Sequence, residues 1–238
     1  MRTVDSLDIA GREPLIPKHG GYRNLKSFQL AELIYDVTAR FCERFIDPRS
    51  RTHDQMVQAA RSGVQNIAEG SQVSGTSRKM ELKLTNVARA SLEELRRDYE
   101  DFLRQRGWPQ WPPEHPALMR FKQKRCGSLE EFRGWIGEEL KREAAPKNTD
   151  AHRRTQTRPA APVRVCQCPS VSSPSPPPNA AAVLAANGAL ALLNLCCYLL
   201  DRQLAAQART FGSEGGFTER LYRRRQAHRQ QGRPGGPP

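Results

Sequence analysis

Between residues 28 and 106, apolar residues recur every three or four positions in three successive runs, and that spacing leaves few folds open. Leu30, Leu33, Ile34, Val37, Phe41 and Phe45 form the first stripe, over about residues 28–45, and Asp47-Pro48 ends it. Met56, Val57, Ala60, Val64, Ile67 and Ala68 form the second, over about 52–69. Ser50 or Thr52 supplies its N-cap, and Gly70 its C-terminal stop. Met80, Leu84, Val87, Ala88, Leu95, Tyr99, Phe102 and Leu103 form the third, over about 77–106, closed by Gly107 and the prolines at 109, 112 and 113. A 3.6-residue period buries one face of a helix, and three such helices joined by short turns pack antiparallel. The expected fold class is all-α, and three long stripes favour a fourth helix.

Two segments compete for that place. Residues 118–143 are weakly helical in pattern and interrupted by Gly127, Gly134 and Gly137. Residues 180–211 make the stronger helix, ended by Gly212, Gly215 and Gly216. Its stretch 180–200 is uncharged over 21 residues, long enough to span a bilayer. However, seven of these residues are Ala, Asn187 and Asn194 are costly in hydrocarbon, and no aromatic belt frames the stretch. A buried bundle helix is the favoured reading and membrane insertion the disfavoured one. The expected architecture is an antiparallel up-and-down four-helix bundle whose fourth helix follows a long Pro-rich insertion. A leader (1–25) precedes the first three helices (26–107). A proline-rich turn and weakly helical basic segment (108–143), a disordered linker (144–179), the fourth helix (180–216) and a basic tail (217–238) follow.

The chain carries a net charge of +13, with pI near 10.0, which favours polyanionic partners. The charge is uneven. Residues 22–107 hold 15 basic against 12 acidic side chains, so the surplus lies in the appendages. Cys42 and Cys126 stand alone, Cys166 and Cys168 are one residue apart, and Cys196 and Cys197 are adjacent. None has zinc-site spacing, and no apolar leader marks a secretory signal, so reduced cysteines in a cytoplasmic protein are expected. The five histidines join no P-loop, nucleophile elbow, dinucleotide turn or HExxH. No enzyme chemistry, metal or cofactor is expected.

The run Gln65-Asn66-Ile67-Ala68-Glu69-Gly70, followed by Ala88-Arg89-Ala90-Ser91-Leu92-Glu93-Glu94-Leu95, resembles the bacterial four-helix-bundle proteins encoded in intervening sequences of 23S rRNA genes. The resemblance covers about residues 22–107. Tyr198-Leu199-Leu200-Asp201-Arg202-Gln203, with Gly215-Gly216-Phe217-Thr218-Glu219-Arg220-Leu221-Tyr222, resembles the branch with a four helix bundle suffix domain. The resemblance implies an up-and-down bundle and a homopentameric ring. It also implies distant kinship to the accessory variability protein of diversity-generating retroelements, a basic pentamer that works with a reverse transcriptase and RNA. The family has no established biochemical activity. The long insertion leaves open whether the last helix packs in its own chain or in a neighbour.

Three groups of residues are candidates for function. In the family motif, Glu69 stands near a helix C-terminus, where the macrodipole disfavours an anion, so a cation at Arg78 or Lys79 is expected to answer it. Asn66 is expected to face Glu81 or Leu82. Asn66, Glu69 and Gly70, with Arg89 and Glu93 as an (i, i+4) pair, either lock the helix hairpin or meet a subunit or ligand. In the C-terminal segment, Arg220, Tyr222, Arg223, Arg224 and Arg225 interleave guanidinium groups with Phe217 and Leu221, a pattern suited to phosphate clamping and base stacking, or to a solvated tail. Arg120, Lys122, Lys124 and Arg125, with Phe121 among them, form a second basic cluster, for which a solvated face is the default. Trp108 and Trp111 are expected to cap the bundle end. The leading expectation is a homo-oligomeric, non-enzymatic scaffold whose basic extensions contact RNA, DNA or an acidic protein. The runner-up is a protein-interaction module with no nucleic-acid role.

Overall fold

The computed structural model describes residues 16–144 and 179–231, and all regular structure among them is helical. Seven α-helices follow a short 3-10 turn at Tyr22–Asn24: α1 (Lys26–Phe45), α2 (Arg51–Val73), α3 (Arg78–Gln105), α4 (Pro116–Lys124), α5 (Leu129–Ala144), α6 (Ala180–Glu214) and α7 (Phe217–Gln231). The Pro-rich linker expected over 144–179, with Cys166 and Cys168, lies almost wholly outside the described residues.

Local chemistry sets the helix ends. Asp47 accepts the Arg49 N–H at 2.9 Å beyond α1. Ser50, not Thr52, caps α2, accepting the Thr52 N–H at 3.3 Å. Ser77 caps α3 through the Met80 N–H, and Asn179 caps α6 through the Ala182 N–H. Gly107 (φ +65°) and Gly215 (φ +70°) end α3 and α6 in backbone that favours glycine.

The long helices share one core. α1 packs on α2 and α6, and α3 packs on α2 and α6. Cross-contacts fix their directions. Ser62 meets Ser91 and Gly70 lies against Leu84, so α2 and α3 run antiparallel. Arg78 meets Glu214, Arg89 meets Asp201 and Arg96 meets Asn194, so α3 and α6 also run antiparallel. Ser27 donates to Gln203 at 2.8 Å, which holds the start of α1 against the far half of α6. Across the diagonal, Phe41 stacks against Tyr99 and Phe102 with ring centroids 4.8 Å from each, and the buried Tyr99 hydroxyl donates to Thr38. The last long helix therefore packs within its own chain.

Several expectations need correction. Gly70 does not stop α2, which continues three residues further. It is a buried interior glycine where a Cβ would meet the Glu81 carbonyl and the Leu84 side chain at 3.4 Å, so it permits close crossing. Met80 and Val87 are exposed, because the buried face of α3 centres on Thr85, Ala88, Leu92, Leu95 and Tyr99. The described part of the leader is not loose: Gly20 donates to the Ser71 carbonyl, and Tyr22 packs edge-on against Phe28. The weakly helical segment is α4 and α5, broken at Gly127 but continuous through Gly134 and Gly137. Its Phe121, Phe132 and Trp135 form an aromatic cluster buried against Gly188 of α6. The basic tail is helical from Phe217 to Gln231.

The uncharged stretch of α6 is long and apolar enough to cross a membrane, but 72% of that window is buried inside the protein. Asn187 is fully buried there and fully used. It accepts the Trp111 N–H at 2.8 Å and donates to the carbonyls of Pro109 and Val183. Trp108 meanwhile rests edge-on against Phe102 at the same end of the core.

Candidate binding surfaces

The motif residues on α2 and α3 form no convergent site. Asn66 turns back on its own helix and donates to the Ser62 carbonyl and hydroxyl. Glu69 is exposed, and its side chain has no ion pair among the described residues. Arg78, expected to answer it, pairs instead with Glu214 at 2.9 Å. The register explains the difference, since continuing α2 past Gly70 sets Gly70, not Asn66, opposite Glu81. The expected Arg89–Glu93 pair is also absent. Arg89 bonds Asp201 on α6 at 2.7 Å, which raises its pKa, while Glu93 pairs with Arg96. Of these side chains, Arg78 and Arg89 tie α3 to α6.

The 120–125 cluster is mostly engaged within the protein. The Arg120 guanidinium grips the buried Glu139 carboxylate with two hydrogen bonds, at 2.7 and 2.5 Å. Lys122 donates to the Pro113 carbonyl, and Lys124 pairs with Glu138, which raises the lysine pKa and lowers that of the glutamate. Arg125 ends α4 in left-handed backbone (φ 50°) with its side chain exposed. Two of these four positive charges, Arg120 and Lys124, are thus answered by acids of α5.

In α7 the arginines divide. Arg220 reaches back to donate to the Gly75 carbonyl in the α2–α3 turn, and Arg223 donates to the Glu214 and Glu219 carbonyls. Arg225 and Arg229 are exposed without an ion pair among the described residues. With Arg224, Leu221 and His228 they line one shallow groove. Tyr222 is 62% exposed and accepts a hydrogen bond from Gln226. Phe217 and Leu221 are half-buried.

The sequence reading missed a surface on α6. Leu195 and Tyr198 are 50% and 56% exposed, with half-buried Ala191 and Leu199 beside them on the same outer face. The helical phase held the signal, because 191, 195 and 198 fall opposite the stripe 189, 193, 196 and 200 that enters the core. The uniformly apolar composition of this stretch hid it.

No cluster of three or more His, Cys, Asp or Glu side chains suited to a metal occurs among the described residues. His115 is stacked on Trp111 at 4.1 Å, its pKa lowered by burial and by Arg120. Cys42, Cys126, Cys196 and Cys197 are free and buried, and burial pushes the Cys42 thiol up to about 12. No family model, curated protein or solved structure matches the chain.

Proposed function

We propose that the chain is a non-enzymatic, self-associating scaffold: an antiparallel up-and-down four-helix bundle of α1, α2, α3 and α6, working in the cytoplasm with its thiols reduced. The outer face of α6 carries this reading. Single apolar side chains on a surface need no explanation, whereas Leu195, Tyr198 and Leu199 form a contiguous strip on a helix whose other face is core. A second copy covering the strip would remove it from water. Five copies is the number that the resemblance to the intervening-sequence family implies. The test is absolute mass by light scattering at low and high salt, after nucleic acid is stripped. The expected mass is a multiple of 26.8 kDa at both salts, five-fold for a pentamer. Leu195→Glu with Tyr198→Glu is expected to reduce it to one copy. A mass of one chain at every concentration overturns the proposal.

A second reading concerns α7. Exposed Arg225 and Arg229 beside Tyr222 suit a polyanion, RNA or DNA, and self-association would multiply such arms. Binding of labelled RNA or DNA is expected to weaken steeply with salt. Arg225→Gln with Arg229→Gln is expected to lower the log–log salt slope by roughly 1.4–1.8, depending on strandedness. A salt-independent interaction, or none, favours the protein-interaction module, with an acidic protein as the remaining partner for the basic arm.

A further inference from the structure

The α1–α5 interface contains a cleft of about 430 Å³ that the scaffold reading does not use. Its floor is apolar, with Val37, Phe41 and Phe45 from α1, Ile136 and Leu140 from α5, and Ala185 from α6. Arg40, Arg44 and Arg133 stand around its rim with Glu130 as the one acidic side chain lining it. Arg40 also pairs with Glu43 at 2.9 Å, and Arg44 lies over the Phe45 ring, so the rim keeps a positive excess.

The glycines of α5 give an independent reason to treat the cleft as built. An interior helical glycine costs up to about 1 kcal/mol relative to alanine, and at Gly63 and Gly188 close packing accounts for it. A Cβ at Gly63 would come within 2.6 Å of Leu92, and one at Gly188 within 2.7 Å of Trp135. At Gly134 and Gly137, both lining the cleft, nothing lies within 4 Å of a Cβ. Packing requires neither glycine. What their missing side chains provide is open volume between α5 and α1.

From the apolar floor, the arginine rim and the vacant glycine wall, we infer that the α1–α5 cleft binds a single-chain anionic amphiphile, a medium-chain fatty carboxylate, with its chain along Phe41 and Leu140 and its headgroup among Arg40, Arg44 and Arg133. The volume falls within the roughly 300–1,000 Å³ typical of small-molecule pockets. It is also nearly three times the ~150 Å³ of an apolar cavity that admits benzene, which leaves room for a chain on the order of ten carbons. Exposed guanidinium groups orient the carboxylate and add modest affinity each. This inference does not depend on the oligomeric state.

The test is calorimetric titration of the full-length chain with sodium decanoate below its micellar range, with decanol and with hexanoate as controls. Saturable decanoate binding is expected, at least about tenfold tighter than either control. Gly137→Leu, which fills the cleft, is expected to abolish binding while the melting temperature holds or rises, an outcome that unfolding would not produce. Arg44→Gln and Arg133→Gln are each expected to weaken binding by about two- to fivefold. Absence of saturable decanoate binding, or equal affinity in Gly137→Leu, overturns the inference. Binding of anionic phospholipid vesicles that Gly137→Leu leaves unchanged, without decanoate binding, assigns the rim to a membrane surface instead and also overturns it.

Discussion

Replacing Asn187 by leucine tests how the turn between α3 and α4 is joined to α6. Asn187 sits in α6 with 1% of its surface exposed, and its carboxamide holds three partners. Two of these, the Trp111 N–H and the Pro109 carbonyl, belong to the turn between α3 and α4. Leucine matches the side chain in branching and heavy-atom count and is somewhat bulkier, so no cavity opens and the loss falls on the hydrogen bonds. A stranded buried backbone group costs about 1–3 kcal/mol, and both contacts are only part-buried, so about 1 kcal/mol for each is appropriate. Burying leucine in place of the carboxamide returns part of this. The net expected loss is about 1–2 kcal/mol in Asn187→Leu, and about 2–4 kcal/mol in Asn187→Ala, where a cavity is added. Urea denaturation followed by far-UV dichroism at fixed protein concentration measures it, since self-association would otherwise shift the midpoint. Near-UV dichroism of the tryptophans should change in the folded state of Asn187→Leu as the turn loosens. An Asn187→Leu protein as stable as the parent, with an unaltered near-UV spectrum, would refute this tie between α6 and the turn and leave Asn187 as a tolerated polar residue.

Three further outcomes are expected. Gly63→Ala pushes a methyl group into the buried Leu92 side chain and should cost about 1–3 kcal/mol, offset by no more than about 1 kcal/mol of helix propensity, as measured by urea denaturation. Arg120→Ala leaves Glu139 buried with only Arg142 at 3.8 Å for company, so a loss of about 1–3 kcal/mol is expected, discounted because Arg120 is itself 38% exposed. The Cys42 thiol titrates near 9 when unfolded and at about 12 when folded, so its contribution to stability is whole below pH 9 and is lost as pH rises from 9 toward 12. Cys42→Ala should flatten the fall in stability over that window, and native Cys42 should resist maleimide at pH 8 by peptide mapping.

The positions of α1, α2 and α3 were legible because each carries a continuous apolar period, and that of α6 because residues 180–200 are uncharged and rich in alanine and leucine. What the pattern did not show was register. Gly70 has the composition of a stop signal, and only the approach of α3 explains an interior glycine there. The short aromatic-containing segments around Phe121, Phe132 and Trp135 carried too little period for their burial to be seen, since what covers them is Gly188 of α6. The candidate residues were least legible. Arg89 looks like a member of a local surface pair and Arg120 like part of a solvated basic face, yet Asp201 and Glu139, their acidic partners, lie 112 and 19 positions away. Charge runs report composition, while the acid that answers each cation is chosen by tertiary packing. The outer strip on α6 was present in the phase of residues 191, 195 and 198, but a stretch apolar on nearly every side offers no contrast by which to choose an outward face.

The order of the helices sets a timetable for synthesis. α1, α2 and α3 are complete by Gln105, but the seam between α1 and α3 is filled by α6, which ends at Glu214. A ribosome adding about 5–20 residues per second needs on the order of 5–20 s to cross that interval. For that time the nascent chain carries Phe41, Tyr99 and Leu103 along an open seam, close to other nascent copies on the same message. Something must shield that seam during translation, and a chaperone that does so has to yield it to the chain's own α6 when that helix emerges.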